Sequence, residues 1–244
     1  MNRRGTYVFG WLMAVGVIAS FMALGFWQLR RMHEKQAMLA ASAQVLARRE
    51  ARPLRAAADP ARARDYDWAA GEGRFIPSPP VLLDNQQRDG RSGVRAYRVF
   101  QPSSAVAAPL LVELGWLPLP GDRRLPTVPQ PPGARRVVGL LAPPPAHGIV
   151  SGPAAPQANG ALLATSLEPS ALRALSQPRL APRVLRLDPA DPLGYARDLD
   201  ILPNTLPPER HLGYAVQWFA LALAVLTTAT VLTWRARRLP ESTR

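Results

Sequence analysis

Residues 212–234 read LGYAVQWFALALAVLTTATVLTW and contain no charged side chain. A helix of about 20 apolar residues spans the hydrocarbon core of a bilayer, which is roughly 30 Å thick. Arg210 precedes this stretch, and Arg235, Arg237 and Arg238 follow it, so both ends carry the basic residues that commonly flank a membrane span. We therefore predict a transmembrane helix over residues 212–234.

A second apolar stretch lies near the other end of the chain. Residues 5–29 are uncharged, with Arg3 and Arg4 before them and Arg30 and Arg31 after them. The apolar core, residues 7–27, is longer than that of a cleaved signal peptide, and no small-residue cleavage site follows it directly. We predict an uncleaved transmembrane helix here. The alternative, two buried helices of a soluble protein, is disfavoured because long uncharged stretches with basic flanks occur twice.

Two spans place both ends of the chain on one side of the membrane. We predict that residues 1–6 and 235–244 are cytoplasmic tails and that residues 28–211 form a periplasmic domain. Basic residues are almost evenly divided between the two sides, but a long loop is translocated largely regardless of its charge. The beginning of the chain lacks an Arg/Ser-rich transit peptide, which favours a bacterial inner membrane over an organelle.

The middle of the chain has the pattern of a small β-rich α+β domain. Proline accounts for 27 of the 244 residues, which limits helix to a few segments. We predict that the first helix continues to Arg52, that a strand with a bulge or bend covers residues 71–75, and that residues 85–93 form a hairpin loop. A short helix over residues 168–175 would begin after Ser166 as its N-cap. Further strands are predicted over residues 81–84, 94–101, 110–117, 135–141, 162–166 and 183–187.

The composition excludes several kinds of chemistry. The chain has no cysteine and only three histidines, so disulfides, thiolate nucleophiles and cysteine metal sites are excluded. The net charge of +13 is scattered along the chain, which does not indicate nucleic-acid binding. Ser103, Ser104 and Ser151 lack a plausible base, because His147 lies in a Pro/Gly-rich loop typical of a surface segment. We therefore disfavour a membrane-anchored periplasmic hydrolase.

Two motifs at the ends of the spans are specific. The first span ends in LGFWQLRR, residues 24–31, and the second begins in RHLGYAVQWFALA, residues 210–222. Between them lie LVELGWLP, residues 111–118, and VVGLL, residues 137–141. In its order of span, exported domain and span, and in these motifs, the chain resembles the Surfeit locus protein 1 family. It departs from that family where Glu113 and Leu114 replace the usual Asn-Arg, and where Thr165-Ser166 stands near the position of an Asn-Trp pair.

The resemblance implies an assembly factor for heme-copper cytochrome c oxidase. Such a protein is a chaperone of respiratory chain biogenesis in the inner membrane rather than an enzyme. The resemblance further implies that it binds heme a transiently and assists its insertion into oxidase subunit I. Heme a synthesis enzymes would then be partners together with subunit I and the lipid bilayer. The alternative is a membrane-anchored scaffold that stabilises oxidase subunits without binding a cofactor.

The residues that fit this implied function lie at the ends of the spans. The expected cofactor-binding residues are His211, Arg210, Tyr214, Trp218, Trp27 and Gln28. His211 is the expected ligand of the heme iron, since a neutral imidazole is a good iron ligand. Arg210 could hold heme propionates by charge-assisted hydrogen bonds. At 100° per residue, one helix face carries His211, Ala215, Trp218, Ala222, Val225 and Ala229.

Other interpretations of the same residues stay open. A stripe of alanines mostly indicates packing between helices, and packing is the better explanation of Trp218. A histidine at the mouth of a span is often only an interfacial polar residue. His33 is the second candidate ligand, although solvated charge pairing also explains its surroundings. Met32 beside it is a possible soft ligand.

Overall fold

The computed structural model describes residues 3–145, 152–168, 170–175, 180–201 and 206–238. The chain forms two compact units, one of Met1–Met38 with Thr205–Arg244 and one of Leu39–Asn204. The first unit is helical, and the second is built around a mixed β-sheet. The predicted order of long apolar helix, β-rich domain and long apolar helix is thereby confirmed.

The two long helices are α1 (Arg3–Arg48) and α2 (Pro208–Arg238). Each contains an 18-residue window of high mean hydropathy, 2.0 in α1 and 1.8 in α2. Only 6% and 11% of these windows are buried, whereas the core helix of a soluble protein is mostly buried. In length, composition and exposure, both helices agree with the predicted spans.

Within the helical unit, α1 and α2 pack against each other in antiparallel directions. The Trp11 indole N–H donates to Thr233 Oγ1 at 3.0 Å, near the start of α1 and the end of α2. Towards the opposite end of the pair, a Cβ added to Gly25 would lie 2.4 Å from a ring carbon of Phe219. Glycine at position 25 is therefore what allows the two helices to approach so closely.

Helix α1 ends earlier than predicted. Its last residue is Arg48, not Arg52, and Arg49 adopts a left-handed conformation with φ of 50°. The Arg49 N–H still donates to the carbonyl of Val45 at 2.9 Å, which closes the last turn. The Arg49 guanidinium lies 4.7 Å from the ring centroid of Trp68 and pairs with Asp188 at 3.1 Å. Contacts of this kind with distant residues override the helical preference of the local sequence.

The second unit contains nine strands within its described residues. They are β1 (Arg52–Pro53), β2 (Asp67–Phe75), β3 (Val81–Arg88), β4 (Arg91–Pro102), β5 (Leu110–Pro118), β6 (Ala134–Ala142), β7 (Ala155–Pro156), β8 (Leu162–Ala164) and β9 (Val184–Leu187). Their order in the sheet is β1-β2-β6-β9-β5-β4-β3-β8-β7, and β2 also pairs with β4. This additional pairing closes β2, β6, β9, β5 and β4 into a five-stranded barrel.

Alternating residues of the closed strands fill the barrel. Its interior contains apolar side chains from all five strands, among them Ala69, Phe100, Val112, Leu141 and Leu185. The outward-facing residues of the same strands are also covered. Tyr97, Val99 and Leu111 belong to one outer cluster, and Trp68 and Leu140 belong to another. The barrel strands are thus buried on both faces, which explains their nearly continuous apolar sequence.

The hairpin between β3 and β4 is tighter than predicted. Residues 85–93 were expected to be a loop, but the strands extend to Arg88 and from Arg91, leaving only Asp89-Gly90 between them. Both residues have positive φ, 50° and 72°. These values are typical of the type I′ turn, whose twist matches that of the flanking strands.

Two other local predictions are wrong. β2 pairs with β6 without a register shift from Asp67 to Arg74, so the expected bulge at its glycines is absent. Gly73 is instead a point of close approach, where an added Cβ would lie 2.2 Å from the carbonyl oxygen of Gln101. In the described part of residues 168–175, only a 3-10 turn at Arg173–Leu175 forms in place of a helix. Ser166 Oγ does accept a hydrogen bond from the Glu168 N–H at 3.2 Å.

Candidate functional site

His211 is buried between the two helices, with 7% of the residue exposed. Its Nδ1 lies 2.7 Å from Oε1 of Gln28 on α1. An amide oxygen only accepts hydrogen bonds, so Nδ1 carries the proton and donates it to Gln28. Burial, together with the nearby positive charges of Lys35 and Arg31, lowers the pKa of His211 below its usual value, which favours the neutral ring with its proton on Nδ1 and a free lone pair on Nε2.

The free nitrogen of His211 is unusual. Nε2 is buried and has no hydrogen-bond partner among the described residues. A buried polar atom without a partner costs about 1–3 kcal/mol, so such an atom in a folded protein calls for an explanation. Metal-binding histidines commonly donate their other ring N–H to an oxygen, which orients the ring and fixes its tautomer. The Gln28–His211 pair has this arrangement, and in its donor atom it fits an iron ligand.

Part of α1 encloses the same region of the helical unit. Met32 and Lys35 are buried on the face that carries Gly25 and Gln28. The Lys35 ammonium donates to the carbonyl oxygen of Leu206, just before α2. Because the atoms around Nε2 leave it inaccessible, a bulky ligand could reach it only after neighbouring side chains rearrange.

The other expected binding residues are placed differently. Trp27 and Tyr214 are 46% and 40% exposed, and Arg210 is also exposed. Of the six residues expected to bind the cofactor, hydrogen bonding joins only His211 and Gln28 in the described structure. Exposed tryptophan and tyrosine near the end of a span agree with a position at the membrane interface.

The predicted helix face is present, and it packs against α1. His211, Ala215 and Ala222 are buried, and Trp218 is half-buried. The ring centroids of Trp218 and Phe21 are 5.5 Å apart. This contact favours the interpretation that Trp218 and the small residues of the face serve helix–helix packing.

The structure describes one other histidine. His33 is exposed. His147, expected in a surface loop, lies outside the described residues. Within the described part of the chain, no group of three or more histidine, aspartate and glutamate side chains is placed to hold a metal ion. A metal site here would thus rest on a single imidazole together with ligands from the cofactor itself.

An apolar groove of about 670 Å³ also lies between the helices, at the opposite end of the pair from His211. Its walls include Gly10, Trp11 and Ala14 of α1 and Thr228 and Thr233 of α2. Along α1, Trp11 and Gln28 are separated by about 25 Å. This groove is therefore a separate feature from the His211 site.

Sequence reasoning missed a buried set of charges in the sheet unit. Glu113 on β5 accepts hydrogen bonds from Arg95 at 2.7 Å, Arg186 at 3.1 Å and the Tyr97 hydroxyl at 3.3 Å. Burial and the nearby Glu113 carboxylate raise the pKa of Tyr97 well above its usual value, so its hydroxyl remains protonated. The available signal was the position of Arg95, Glu113 and Arg186 within otherwise apolar strands, where a charge requires a partner.

A second buried pair joins β2 to the residue before β9. Asp67 accepts a hydrogen bond from the fully buried Arg183 at 2.8 Å and two from Arg62 at 2.7 and 3.1 Å. Burial alone would raise the pKa of Asp67, but the hydrogen bonds from Arg62 and Arg183 outweigh it and lower that pKa. The ionised carboxylate is thus the stable form in the folded protein.

The comparison with known families bears on the whole chain. A model of the SURF1 family matches residues 15–223, a range that includes Gln28, His211 and every strand of the sheet unit. No curated protein matches the chain.

Proposed function

Because the chain belongs to the SURF1 family, whose members are oxidase assembly factors and not a class of enzymes, we propose that it binds heme a and assists its insertion into subunit I of cytochrome c oxidase. The observation that carries this proposal is the Gln28–His211 pair. It presents a neutral imidazole with a buried, unpartnered Nε2. The two family-like motifs at the span ends supply the two members of this pair.

Each residue of the proposed site has a distinct role. His211 would offer Nε2 to the iron, and Gln28 would hold the ring in the tautomer that leaves this nitrogen unprotonated. Arg210 is charged and exposed next to His211, so it can meet the propionates of a porphyrin. Heme a would supply an iron centre able to bind an imidazole nitrogen. Rearrangement around the enclosed Nε2 agrees with a carrier that takes up and releases its cargo.

The proposed location follows from the apolar helices. Residues 28–211 would lie on the periplasmic side of a bacterial inner membrane, with short cytoplasmic tails. Heme a synthesis enzymes would deliver the cofactor, and subunit I would receive it. All of these steps would take place at or within the bilayer, where an apolar heme is least exposed to water.

A scaffold without a cofactor is the second candidate, and a specific observation favours it. The helix face that carries His211 is occupied by α1, and Trp218 contacts Phe21. In this interpretation, His211 only pairs with Gln28 to hold the two helices together. The sheet unit would then bind oxidase subunits directly.

The proposal is tested by deleting the protein and examining the membranes of the cell. We expect lower heme a absorbance and lower oxidase activity, with b-type cytochromes unchanged. A strain that also lacks any related oxidase assembly factor excludes compensation. Normal oxidase spectra and activity in that strain would contradict a role in assembly. Heme a in protein purified from cells that make it then separates the heme carrier from the scaffold.

A further inference from the structure

The apolar groove between α1 and α2 has the dimensions of a hydrocarbon chain rather than those of a helix. Its volume is about 670 Å³, and residues 221–236 of α2 line it over about 22 Å. Its mean cross-section is therefore about 30 Å², whereas a helix about 10 Å across occupies roughly 80 Å². A partner helix could cover this groove but not enter it, and an extended acyl chain could lie along it.

Small side chains create the groove, and a hydrogen bond joins its two walls. Gly10 of α1 lines one wall, and Ala229 and Ala236 of α2 line the other. The Trp11 indole N–H donates to Thr233 Oγ1 at 3.0 Å, and that hydroxyl donates in turn to the Ala229 carbonyl at 2.7 Å. Because these polar groups already have partners within the helix pair, the groove suits an apolar occupant.

The end of the groove nearest the chain termini is basic. Ala236 lines the groove, and at 100° per residue Arg235 and Arg237 project on either side of it. Both arginines are exposed. Arg238 is placed differently, because its guanidinium lies 3.7 Å from the ring centroid of Trp234 on the same helix. Arg235 and Arg237 are therefore the two cations that flank the mouth of the groove.

The basic residues at the two ends of the helix pair differ in their partners. At the end away from the groove, Arg30 and Arg31 lie 3.6 and 2.9 Å from carboxylate oxygens of Glu34. The first acidic residue of the chain is Glu34, and α2 has none after Glu209. Within the described part of α1 and α2, no carboxylate thus lies near the arginines beside the groove. An anion from outside the chain would supply the missing counter-charge.

We propose that this groove binds an anionic glycerophospholipid, with one acyl chain in the groove and the phosphate between Arg235 and Arg237. Arginine matches phosphate through parallel N–H donors, and basic residues at the ends of transmembrane helices attract anionic headgroups. Tyr7 lines the groove at the same end and is 44% exposed, as an aromatic residue at headgroup depth would be. The proposal rests on the membrane location proposed above but not on heme binding, because about 25 Å of α1 separates Trp11 from Gln28.

Native mass spectrometry of the full-length protein in detergent tests this site. The probes are dioleoyl phosphatidylglycerol, which is anionic, and dioleoyl phosphatidylethanolamine, which has no net charge, added in equal amounts. The two lipids have the same acyl chains, so a preference between them reports on the headgroup. We expect the protein to bind one phosphatidylglycerol about tenfold more tightly than phosphatidylethanolamine.

Matched charge removals show whether the two arginines are responsible. The double variant Arg235→Gln, Arg237→Gln should lose most of the preference and leave the binding of phosphatidylethanolamine unchanged. The control is Arg30→Gln, Arg31→Gln, which removes the same charge from the other end of the helix pair and should keep the preference.

A groove-filling variant tests the acyl chain separately. Ala229→Phe should weaken the binding of both lipids at least tenfold, because the ring would occupy the groove. Val231→Phe is the control, since Val231 is exposed and does not line the groove. If thermal unfolding shows that Ala229→Phe disrupts the helix pair, Ala224→Phe replaces it, because Ala224 lines the groove and is exposed.

Three results would overturn the proposal. The first is equal binding of the two lipids to the wild type. The second is an equal loss of preference in the Arg30→Gln, Arg31→Gln control, which would indicate attraction to net charge rather than a site. The third is displacement of phosphatidylglycerol by an equal concentration of glycerol 3-phosphate, since the arginines would then hold a phosphate without using the groove. Heme a is measured in the same preparations. Lipid preference without heme a would contradict the heme proposal alone, and heme a without lipid preference would contradict the lipid site alone.

Discussion

The Nδ1 atom of His211 lies 2.7 Å from the amide oxygen of Gln28, across 183 positions of the sequence. This contact connects the motif that ends the first apolar helix with the motif that begins the second. It also determines which ring nitrogen carries the proton and leaves Nε2 as an unpartnered acceptor. The motifs at the two helix ends thus form one structural unit, and experiments can distinguish a binding role of this unit from simple helix packing.

Gly25 is predicted to be essential for the contact between the helices. Gly25→Leu should destabilise the protein by about 1–3 kcal/mol, because even a Cβ at this position would lie 2.4 Å from the ring of Phe219. Thermal unfolding in detergent measures the effect. Gly16→Leu is the matched control, because position 16 has no atom within 4 Å of an added Cβ and should tolerate the change. The double variant Gly25→Leu, Phe219→Ala should recover part of the loss.

Asp67 is predicted to make the protein less stable at acidic pH. Its pKa in the folded protein lies below the usual 3.8, so the ionised carboxylate makes its full contribution to the free energy of unfolding above that value. The contribution is lost as the pH falls through the lower folded pKa. At pH 7, Asp67→Asn should lower the free energy of unfolding by about 3–5 kcal/mol, because it leaves the buried Arg183 without its counter-charge.

Denaturant unfolding from pH 7 down to the acid range measures this dependence. The wild type should lose stability more steeply than Asp67→Asn at the acid end. Asp122→Asn serves as the control, because Asp122 pairs with the exposed Arg124 and such a surface pair contributes at most about 1 kcal/mol. Parallel pH profiles for the wild type and Asp67→Asn would contradict the assignment.

The parts of the fold that were predictable from the sequence are those in which local pattern and burial agree. The two apolar helices follow from their length and lack of charge, and β5 follows from the apolar run around Trp116, which only Glu113 interrupts. The sequence suggests only that the motifs containing Gln28 and His211 lie at a similar depth in the membrane, and it does not specify the contact between these two residues. Which ring nitrogen points at the amide depends on side-chain packing, which no residue pattern specifies.

Long-range pairing accounts for most of what could not be predicted. β9 inserts between β5 and β6, although it follows both along the chain. Nothing in the four residues Val184–Leu187 indicates those neighbours. The end of α1 at Arg48 depends likewise on contacts of Arg49 with Trp68 and Asp188. The Asp89-Gly90 turn was available from sequence, because Asp-Gly between two strands is a strong signal of a two-residue hairpin.

That turn gives a third prediction. Gly90→Ala should lower the free energy of unfolding by about 1–2 kcal/mol, because residue 90 has φ of 72°, a conformation that costs any residue with a Cβ. Gly121→Ala is the matched control, since position 121 is equally open but has no positive φ. Equal stability of the two variants would show that strain in the hairpin turn does not contribute.

The arrangement in the membrane is tested by fusions to alkaline phosphatase, which is active only outside the cytoplasm. We expect an active fusion at Gly121, in the sheet unit, and an inactive fusion after Arg238, because two spans return the chain to its starting side. Enzyme activity in intact cells, normalised to the amount of fusion protein, is the measurement. An inactive fusion at Gly121 together with an active one after Arg238 would reverse the predicted topology.

The heme prediction separates a ligand from a packing residue by comparing three variants. His211→Ala should insert normally into the membrane, because one side chain contributes little to a long apolar helix, but it should lose most of the co-purifying heme a. Gln28→Ala should retain the iron ligand but lose its orientation, which lowers heme content by about 10- to 100-fold or shifts the spectrum. His33→Ala, which changes an exposed histidine on the same helix as Gln28, should have no effect.

Absorbance spectra of protein purified from cells that make heme a provide the measurement. Loss of heme in His33→Ala but not in His211→Ala would move the ligand to α1. Unchanged heme content in all three variants would show that the His211–Gln28 hydrogen bond serves only to pack the two helices.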